Sequence, residues 1–182
     1  KELETMGIAT GLRHISNSCA ALRFPEMRLD AVRIGSALLG RLPIKNKYGL
    51  LKVGRLEAPI DEIRYLPKGH LVGYACTYKT KKITRTAVAI VGTGDGLAIM
   101  KSKDTLRFLD RIRYMYNDFK FLFQKGAITC TINGKRANVI GRVGLTNAVL
   151  DISRCEDAQP GDSAVFEINP LMVDSALPRV YE

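Results

Sequence analysis

The sequence has few of the residues from which structural metal sites are built. It contains two histidines and four cysteines in 182 residues. No two cysteines form a CxxC pair and no histidine doublet lies near them, so a zinc site is not expected. Cysteines this far apart indicate reduced thiols, mostly buried inside an intracellular protein. The four are Cys19, Cys76, Cys130 and Cys155.

Long apolar segments are also absent. The longest fall well short of the ~20 residues that a membrane-spanning helix needs. No charged-then-apolar leader opens the sequence, and its first residue is Lys1 rather than a methionine. We therefore expect a cytoplasmic location, no membrane partner for this portion, and a chain that belongs to a longer protein.

Acidic residues are scarce relative to basic ones. The 18 Asp and Glu against 28 Lys and Arg give a net charge of +10. This excess favours ligands that carry phosphate, acidic lipid or nucleic acid, but it indicates no particular fold. A basic stretch contains Lys79, Lys81, Lys82 and Arg85, yet beyond Tyr78 no aromatic side chain is interleaved to stack on bases. A nucleic-acid-binding β module is thus an alternative that salt-dependent DNA or RNA binding would test, and we expect no such partner.

The first forty residues differ in pattern from the rest of the chain. Apolar segments at 12–15 and 31–39 predict strands, and a small-residue turn is predicted at 18–22. Strands that alternate with short helical pieces are typical of the last units of an α/β layer. A linker at 40–48 with a proline and a basic patch follows.

From residue 50 onward the apolar pattern has a period of two. Short strands are predicted around residues 51–53 and 60–63, broken by Pro59. Asn133-Gly134 predicts a type I′ hairpin. Many short strands at this spacing indicate a closed or sandwich-like antiparallel β domain. Further strands are predicted at 83–91, 128–132, 135–143, 148–152 and 164–168.

One segment among the strands has helical spacing instead. Asp104 is a candidate N-cap for a helix over 104–123. Its apolar residues recur at intervals of three and four, which predicts one apolar face. They are Leu106, Leu109, Ile112, Tyr116, Phe119 and Phe123.

Two sets of residues could carry chemistry. Ser18 ends a predicted strand, and Gly35-Ser36 follows another, so a hydroxyl and exposed N–H groups could bind phosphate, although a plain turn explains them too. Tyr74 could transfer a proton, although an aromatic packed on a core is the commoner role. Residues 92–96 are glycine-rich but lack the Lys-Ser/Thr ending of a nucleotide-binding loop, which favours a tight turn. The default role of His14 and His70 is structural.

Five segments match a set of family motifs in the same order along the chain. Residues 14–25 (HISNSCAALRFP) resemble H-x-A-N-S-A-A-x-x-R-F-P, and residues 30–40 (DAVRIGSALLG) resemble D-x-V-R-x-G-I-A-L-Y-G. Residues 72–78 (VGYACTY) are similar to V-S-Y-G-x-T-Y, and residues 132–143 (INGKRANVIGRV) to I-N-G-K-R-A-x-I-V-G-R-V. Residues 178–181 (PRVY) are similar to P-R-x-Y. In this order the motifs resemble those of the alanine racemase family.

The resemblance implies an α/β barrel that binds pyridoxal 5′-phosphate (PLP), followed by a β domain, in a homodimer that interconverts L- and D-alanine or serine. Such an isomerase supplies D-alanine for peptidoglycan. Residues 1–40 would be the end of the α/β barrel, and 41–182 a mainly β domain, an antiparallel barrel or sandwich with one inserted helix at 104–123. The family's Schiff-base lysine has no counterpart here, so the chain alone is expected to be inactive.

The resemblance also implies roles for single residues. Tyr74 would be one of two bases, delivered to the barrel of the partner subunit. The backbone N–H of Leu145 would bind the substrate carboxylate. A further group would bind the cofactor. Ser18 and the backbone of Gly35 and Ser36 would bind its phosphate, and Arg33 would donate to its pyridine nitrogen. His14 would orient the side chain of Arg33, and Asn17 would also belong to the cofactor-binding residues.

Three positions depart from the family pattern. Thr93 and Ser175 stand where tyrosines are expected, and Thr146 stands where an acidic residue is expected. These changes favour an altered substrate. They also support the alternative of an inactive homologue that serves as a binding or regulatory module, for which the parent protein would lack the lysine or bind no PLP.

Overall fold

The computed structural model describes residues 2–99, 107–123 and 128–181. The chain forms two compact units, which are divided in the sequence between Gly54 and Arg55. The assignment of residues 1–40 to an α/β barrel and of 41–182 to a β domain stays a prediction.

The first unit contains a strand, a helix and a second strand in succession. Helix α1 covers Glu2–Thr5, strand β1 His14–Asn17, helix α2 Ser18–Arg23 and strand β2 Ala31–Arg33. The two strands are parallel and adjacent, with α2 in the connection between them. This arrangement agrees with the predicted α/β pattern, because parallel neighbours need a crossover connection.

Three local predictions in this unit need correction. Residues 18–22 form a helix rather than a turn, because the Asn17 side chain accepts hydrogen bonds from the N–H groups of Cys19 and Ala20, both at 3.1 Å. That is the geometry of a helix N-cap. The first strand begins later than predicted, and β2 ends at Arg33, where a series of turns replaces the expected strand to residue 39.

The second unit is a closed antiparallel β-barrel. Six strands follow one another around it in the order β10, β3, β6, β9, β8, β7, and β4 and β5 form a separate two-stranded ribbon. The predicted mainly β, barrel-type fold is therefore confirmed. The strands are β3 Arg55–Leu66, β4 Leu71–Val72, β5 Tyr78–Lys79, β6 Thr84–Ala89, β7 Thr129–Ile132, β8 Lys135–Val139, β9 Ala148–Asp151 and β10 Ser163–Glu167.

Strand β3 runs through Pro59, so the prediction of two short strands broken there is wrong. Proline is tolerated because its missing N–H falls where no ladder bond is needed. Ile60 donates to the carbonyl of Asp162 on the β10 side. Since neighbouring residues in a strand point their N–H groups to opposite sides, the nitrogen of Pro59 faces β6, whose register with β3 begins only at Ile60.

The hairpin between β7 and β8 turns at Asn133-Gly134, as the sequence predicts. Both residues have positive φ, +48° and +77°. Two successive left-handed residues define a type I′ turn, whose twist matches that of the flanking strands.

The barrel interior holds one hydrophobic core. Phe166, Ile60, Ile132, Leu150 and Ile152 are its largest fully buried apolar side chains. Cys130 and Cys155 also belong to it, whereas Cys19 is half-buried and Cys76 is exposed. Burial raises the pKa of the Cys130 thiol to about 12, so this thiol stays protonated at neutral pH.

The third helix, α3, covers Phe108–Phe123 and confirms a helix within the predicted range 104–123. The proposed cap Asp104 and the first apolar position, Leu106, lie outside the described residues. In the part of the chain that the structure describes, no helix has the length and apolar character that crossing a bilayer requires.

Candidate functional site

The predicted phosphate-binding residues lie at the carboxyl ends of β1 and β2. The two strands are parallel, and Asn17 at the end of β1 is in register with Arg33 at the end of β2. Residues that follow adjacent parallel strands emerge at the same edge of the sheet. Loops at the carboxyl ends of parallel strands are where α/β folds bind ligands.

Ser18 connects the two loops at this edge of the sheet through hydrogen bonds. Its hydroxyl oxygen accepts hydrogen bonds from the N–H of Gly35 at 3.0 Å and of Ala37 at 3.3 Å, and the side chain is buried. Among the hydrogen bonds of the described residues, none uses the N–H of Ser36 between them. A Cβ built on Gly35 would meet nothing within 4 Å, so the approach to the backbone is open.

These features fit the phosphate of PLP. A phosphate needs several donors that converge without bulky side chains. The Ser18 hydroxyl and the N–H of Ser36 are the donors here, because the N–H groups of Gly35 and Ala37 already donate to Ser18. The side-chain oxygen of Asn17 caps α2 and thereby fixes the position of Ser18. The place of Asn17 among the cofactor-binding residues stays a prediction.

His14 and Arg33 lie on the adjacent strands β1 and β2. His14 is in register with Ala31 and Asn17 with Arg33, with a register shift between the two pairs. Both side chains are exposed, and among the described hydrogen bonds none joins them. The placement leaves the proposed orienting role of His14 as a prediction.

An ion pair joins the residues that immediately precede these two strands. Arg13, just before β1, donates from Nε to Oδ2 of Asp30 at 2.8 Å and from Nη2 to Oδ1 at 3.0 Å. The hydrogen bonds from Arg13 lower the pKa of Asp30 to about 2. Asp30 therefore stays ionised over the physiological range and holds β1 beside β2.

Tyr74 lies in the second unit, on a tight turn between β4 and β5. The turn covers Tyr74–Cys76 and forces Ala75 and Cys76 into left-handed backbone conformations, with φ of +60° and +53°. The Tyr74 side chain is 76% exposed. The alternative of an aromatic packed on a core is therefore wrong, and the phenol is presented outward.

The turn is anchored by a close contact between two glycines. A Cβ on Gly73 would lie 2.5 Å from the nitrogen of Arg142, and a Cβ on Gly141 would lie 2.8 Å from the carbonyl oxygen of Val72. Both glycines have positive φ, +81° and +73°. Only residues without a side chain allow these backbones to come so close.

The same contact brings Arg142 to Tyr74. The guanidinium carbon lies 5.8 Å from the centre of the tyrosine ring. A cation over an aromatic face at this distance is attracted by the ring quadrupole. Arg142 thus holds the ring of Tyr74 without using its hydroxyl.

We expect Gly73→Ala to destabilise the chain by about 2–4 kcal/mol, because the new methyl group clashes with backbone and positive φ adds strain. Urea unfolding followed by circular dichroism measures this loss.

Gly134→Ala is the matched control for Gly73→Ala. Gly134 also has positive φ, +77°, but a Cβ there would meet nothing within 4 Å. Its loss should stay at about 1–2 kcal/mol, the cost of the conformation alone. Equal losses at the two glycines would show that the close approach beside Tyr74 contributes nothing.

A second pair of loops presents Leu145. The N–H of Thr93 donates to the carbonyl of Gly144, and the N–H of Gly94 to the carbonyl of Leu145, both at 2.9 Å. A Cβ on Gly92 would lie 2.1 Å from the Leu145 oxygen. In the described part of the chain no hydrogen bond uses the Leu145 N–H, which leaves this donor available for a carboxylate.

Residues 92–96 form a tight turn, as predicted. The carboxylate of Asp95 accepts from the N–H of Gly92 at 2.8 Å, and the N–H of Leu97 donates to the Gly92 carbonyl at 3.0 Å. Their task in the fold is to support the loop that carries Leu145.

The basic stretch at 79–85 is divided between two roles. Lys79, Lys81 and Lys82 are exposed. Arg85 instead donates from its guanidinium to the carbonyls of Cys155 at 2.6 Å and Ala158 at 2.7 Å. Arg85 therefore ties β6 to the loop after β9.

Sequence reasoning missed three residues beside Tyr74, namely Arg142, Gly73 and Gly141. All three lie in segments that resemble the family motifs, but no local pattern shows that they touch. A signal was present in the sequence. Each of these residues is close in the sequence to Tyr74 or Leu145, and these two must converge on one substrate.

The described fold is a closed antiparallel barrel that presents a tyrosine on one turn and a backbone N–H on another, and a parallel strand pair precedes it in the sequence. Residues 53–171 match the family model described as "Alanine racemase, C-terminal domain". The chain belongs to this family.

Relatives and solved structures agree with this assignment. The chain is 31% identical over 170 residues to an alanine racemase of Carboxydothermus hydrogenoformans, covering 91% of this chain and 40% of that protein. It is 32% identical over 153 residues to a broad specificity amino-acid racemase of Vibrio vulnificus, covering 84% and 31%. The fold is similar to an alanine racemase of Clostridium difficile solved in complex with cycloserine, with a TM-score of 0.70, 22% identity, and coverage of 94% and 40%. The chain thus spans less than half the length of these proteins.

Proposed function

We propose that this chain is the C-terminal portion of a PLP-dependent amino-acid racemase that acts on alanine or serine by a two-base mechanism. The observation that carries the proposal is the presentation of Tyr74. An exposed phenol on a turn that glycines and Arg142 hold in place is suited to reach a substrate outside its own unit. The resemblance implies that this substrate lies in the partner subunit of a homodimer.

When bound, PLP supplies an electron sink that acidifies the Cα–H of the amino acid. The residues of this chain bind and orient. The Ser18 hydroxyl and the N–H of Ser36 hold the phosphate, and Gly35, whose N–H donates to Ser18, leaves the approach open. Arg33 remains protonated and donates to the pyridine nitrogen, and His14 orients it.

Tyr74 moves the proton in this proposal. Racemisation requires a proton to leave one face of Cα and to return on the other, which two bases on opposite faces accomplish. Tyr74 serves one face through its hydroxyl oxygen. The resemblance assigns the other face to a lysine in the length of the relatives that this chain does not span. The Leu145 N–H binds the carboxylate and sets the distance of Cα from both bases.

The test uses the protein encoded by the complete reading frame that contains this chain. With PLP and either L-alanine or L-serine, we expect the D-enantiomer to accumulate until the two are equal, as chiral chromatography measures. Absence of both turnover and cofactor absorbance would contradict the proposal. That outcome, or a complete protein without the lysine, would favour the inactive homologue, which the changes at Thr93, Thr146 and Ser175 support.

A further inference from the structure

Helix α3 has an apolar face that is largely exposed in the described part of the chain. Its side chains are 44–78% exposed. At 100° per residue they occupy one side of the helix. The exposed members of this face, here called the α3 apolar face, are Phe108, Leu109, Ile112, Met115, Tyr116 and Phe119. A contiguous exposed apolar surface indicates an interaction site, whereas single apolar residues scattered over a surface do not.

The composition of the helix is unusual for this protein. The chain contains six phenylalanines, seven tyrosines and no tryptophan. Six of these thirteen aromatic residues fall within the 16 residues of α3, and three of them, Phe108, Tyr116 and Phe119, lie on the α3 apolar face. Aromatic rings with aliphatic neighbours are the composition by which interfacial helices enter the boundary between lipid headgroups and acyl chains.

The charge of the segment is complementary to an acidic surface. Residues 107–123 contain four Lys and Arg against two Asp and no Glu. Arg111 and Arg113 border the α3 apolar face on opposite edges. Arg113 also contacts Asp110 of the same helix, with Nη2 2.9 Å from Oδ1. Long basic side chains beside an apolar face can extend their charged ends to phosphate groups while their stems stay with the lipid.

We propose that α3 lies flat on an anionic lipid surface through the α3 apolar face. The 16 residues of the helix extend about 24 Å, less than the ~30 Å hydrocarbon thickness, so the helix rests in the interface and does not cross it. A second copy is the less suitable occupant, because two α3 faces together would juxtapose two net-positive segments. This proposal is independent of the proposed racemase function.

The orientation can be tested with single tryptophans, because the chain has none of its own. Phe119→Trp places an indole on the α3 apolar face, and Asn117→Trp places one on the opposite side. Vesicles of phosphatidylcholine with about 30% phosphatidylglycerol should shift the emission of the first variant to the blue and leave the second unchanged. Equal shifts, or no shift in either, would overturn the proposal.

Affinity for the same vesicles, measured by co-sedimentation, tests the contributing residues. Ile112→Asp should weaken binding about tenfold or more, whereas Asn117→Asp makes the same change of charge on the opposite face and should weaken it less than about threefold. Raising the salt concentration should weaken binding of the unmodified chain.

Three further outcomes would contradict the proposal. The first is equal affinity for vesicles of pure phosphatidylcholine. The second is an equal loss of vesicle affinity for Ile112→Asp and Asn117→Asp. The third is that Ile112→Asp changes only the self-association of the chain, measured by analytical ultracentrifugation, and leaves vesicle binding unchanged. Circular dichroism and unchanged urea unfolding of the barrel confirm that each variant remains folded.

Discussion

Under the proposed function, Tyr74→Phe in the complete protein should lower the rate of racemisation by about 10²–10⁴-fold, the usual contribution of a positioned general acid–base group. The substitution removes one oxygen and keeps the ring, so the stacking with Arg142 is preserved. Cofactor binding should be unchanged, because the proposed phosphate and pyridine contacts belong to the other unit.

The reduction should be equal in the two directions. Enantiomers have the same free energy in water, so the equilibrium constant is one and kcat/KM for L-to-D must equal that for D-to-L. Isotope exchange separates a base from a structural residue. In deuterated water the variant should still exchange the Cα hydrogen of one enantiomer through the remaining base, and lose exchange for the other. Loss of exchange for both enantiomers would argue for a structural role.

Tyr78→Phe is the matched control. Tyr78 is in β5, four residues from Tyr74 in the same ribbon, and is half-buried. It undergoes the same chemical change away from the exposed turn. Its effect on the rate should stay within about threefold. A comparable loss at Tyr78 would contradict the assignment of the base to Tyr74.

The features that the sequence predicted correctly are those decided by local chemistry. Asn133-Gly134 forms the predicted turn because two positive φ values are available there at little cost. Helix α3 agrees with the helical spacing of its apolar residues. The barrel follows from the period of two, which requires each strand to bury one face.

The errors arise where a neighbouring element decides the structure. Pro59 predicts a break, yet its nitrogen lies beyond the end of the β3–β6 ladder, so β3 continues. The side chain of Asn17 caps helix α2 where the sequence predicted a turn. A segment of six residues is too short for its apolar periodicity to reveal a helix.

The candidate site shows the same division. The motifs indicated Ser18, Arg33 and Tyr74, and the structure places Ser18 and Arg33 at one edge of the parallel pair. The stacking of Arg142 on Tyr74 depends on a non-local contact between β4 and the loop after β8, made by two glycines. No local pattern encodes such a contact, because it results from closing the barrel.

Phe166→Ala should destabilise the chain by about 3–5 kcal/mol, the typical cost of removing a buried aromatic ring. Phe166 is 1% exposed, and its strand β10 pairs with β3 through Leu56 and with β7 through Cys130. The ring therefore packs where two neighbouring strands meet inside the barrel. The cost combines lost burial with the cavity that remains, since a closed barrel has little freedom to collapse.

This loss is a large part of the 5–15 kcal/mol that is the usual free energy of unfolding of a domain. The loops that the barrel positions therefore depend on the packing of Phe166. Urea unfolding monitored by far-ultraviolet circular dichroism measures the change in the midpoint. Ile83→Ala removes an apolar side chain that is 69% exposed at the start of β6, and should cost less than about 1 kcal/mol. A loss at Phe166 no larger than the loss at Ile83 would show that the barrel interior is not the main source of stability.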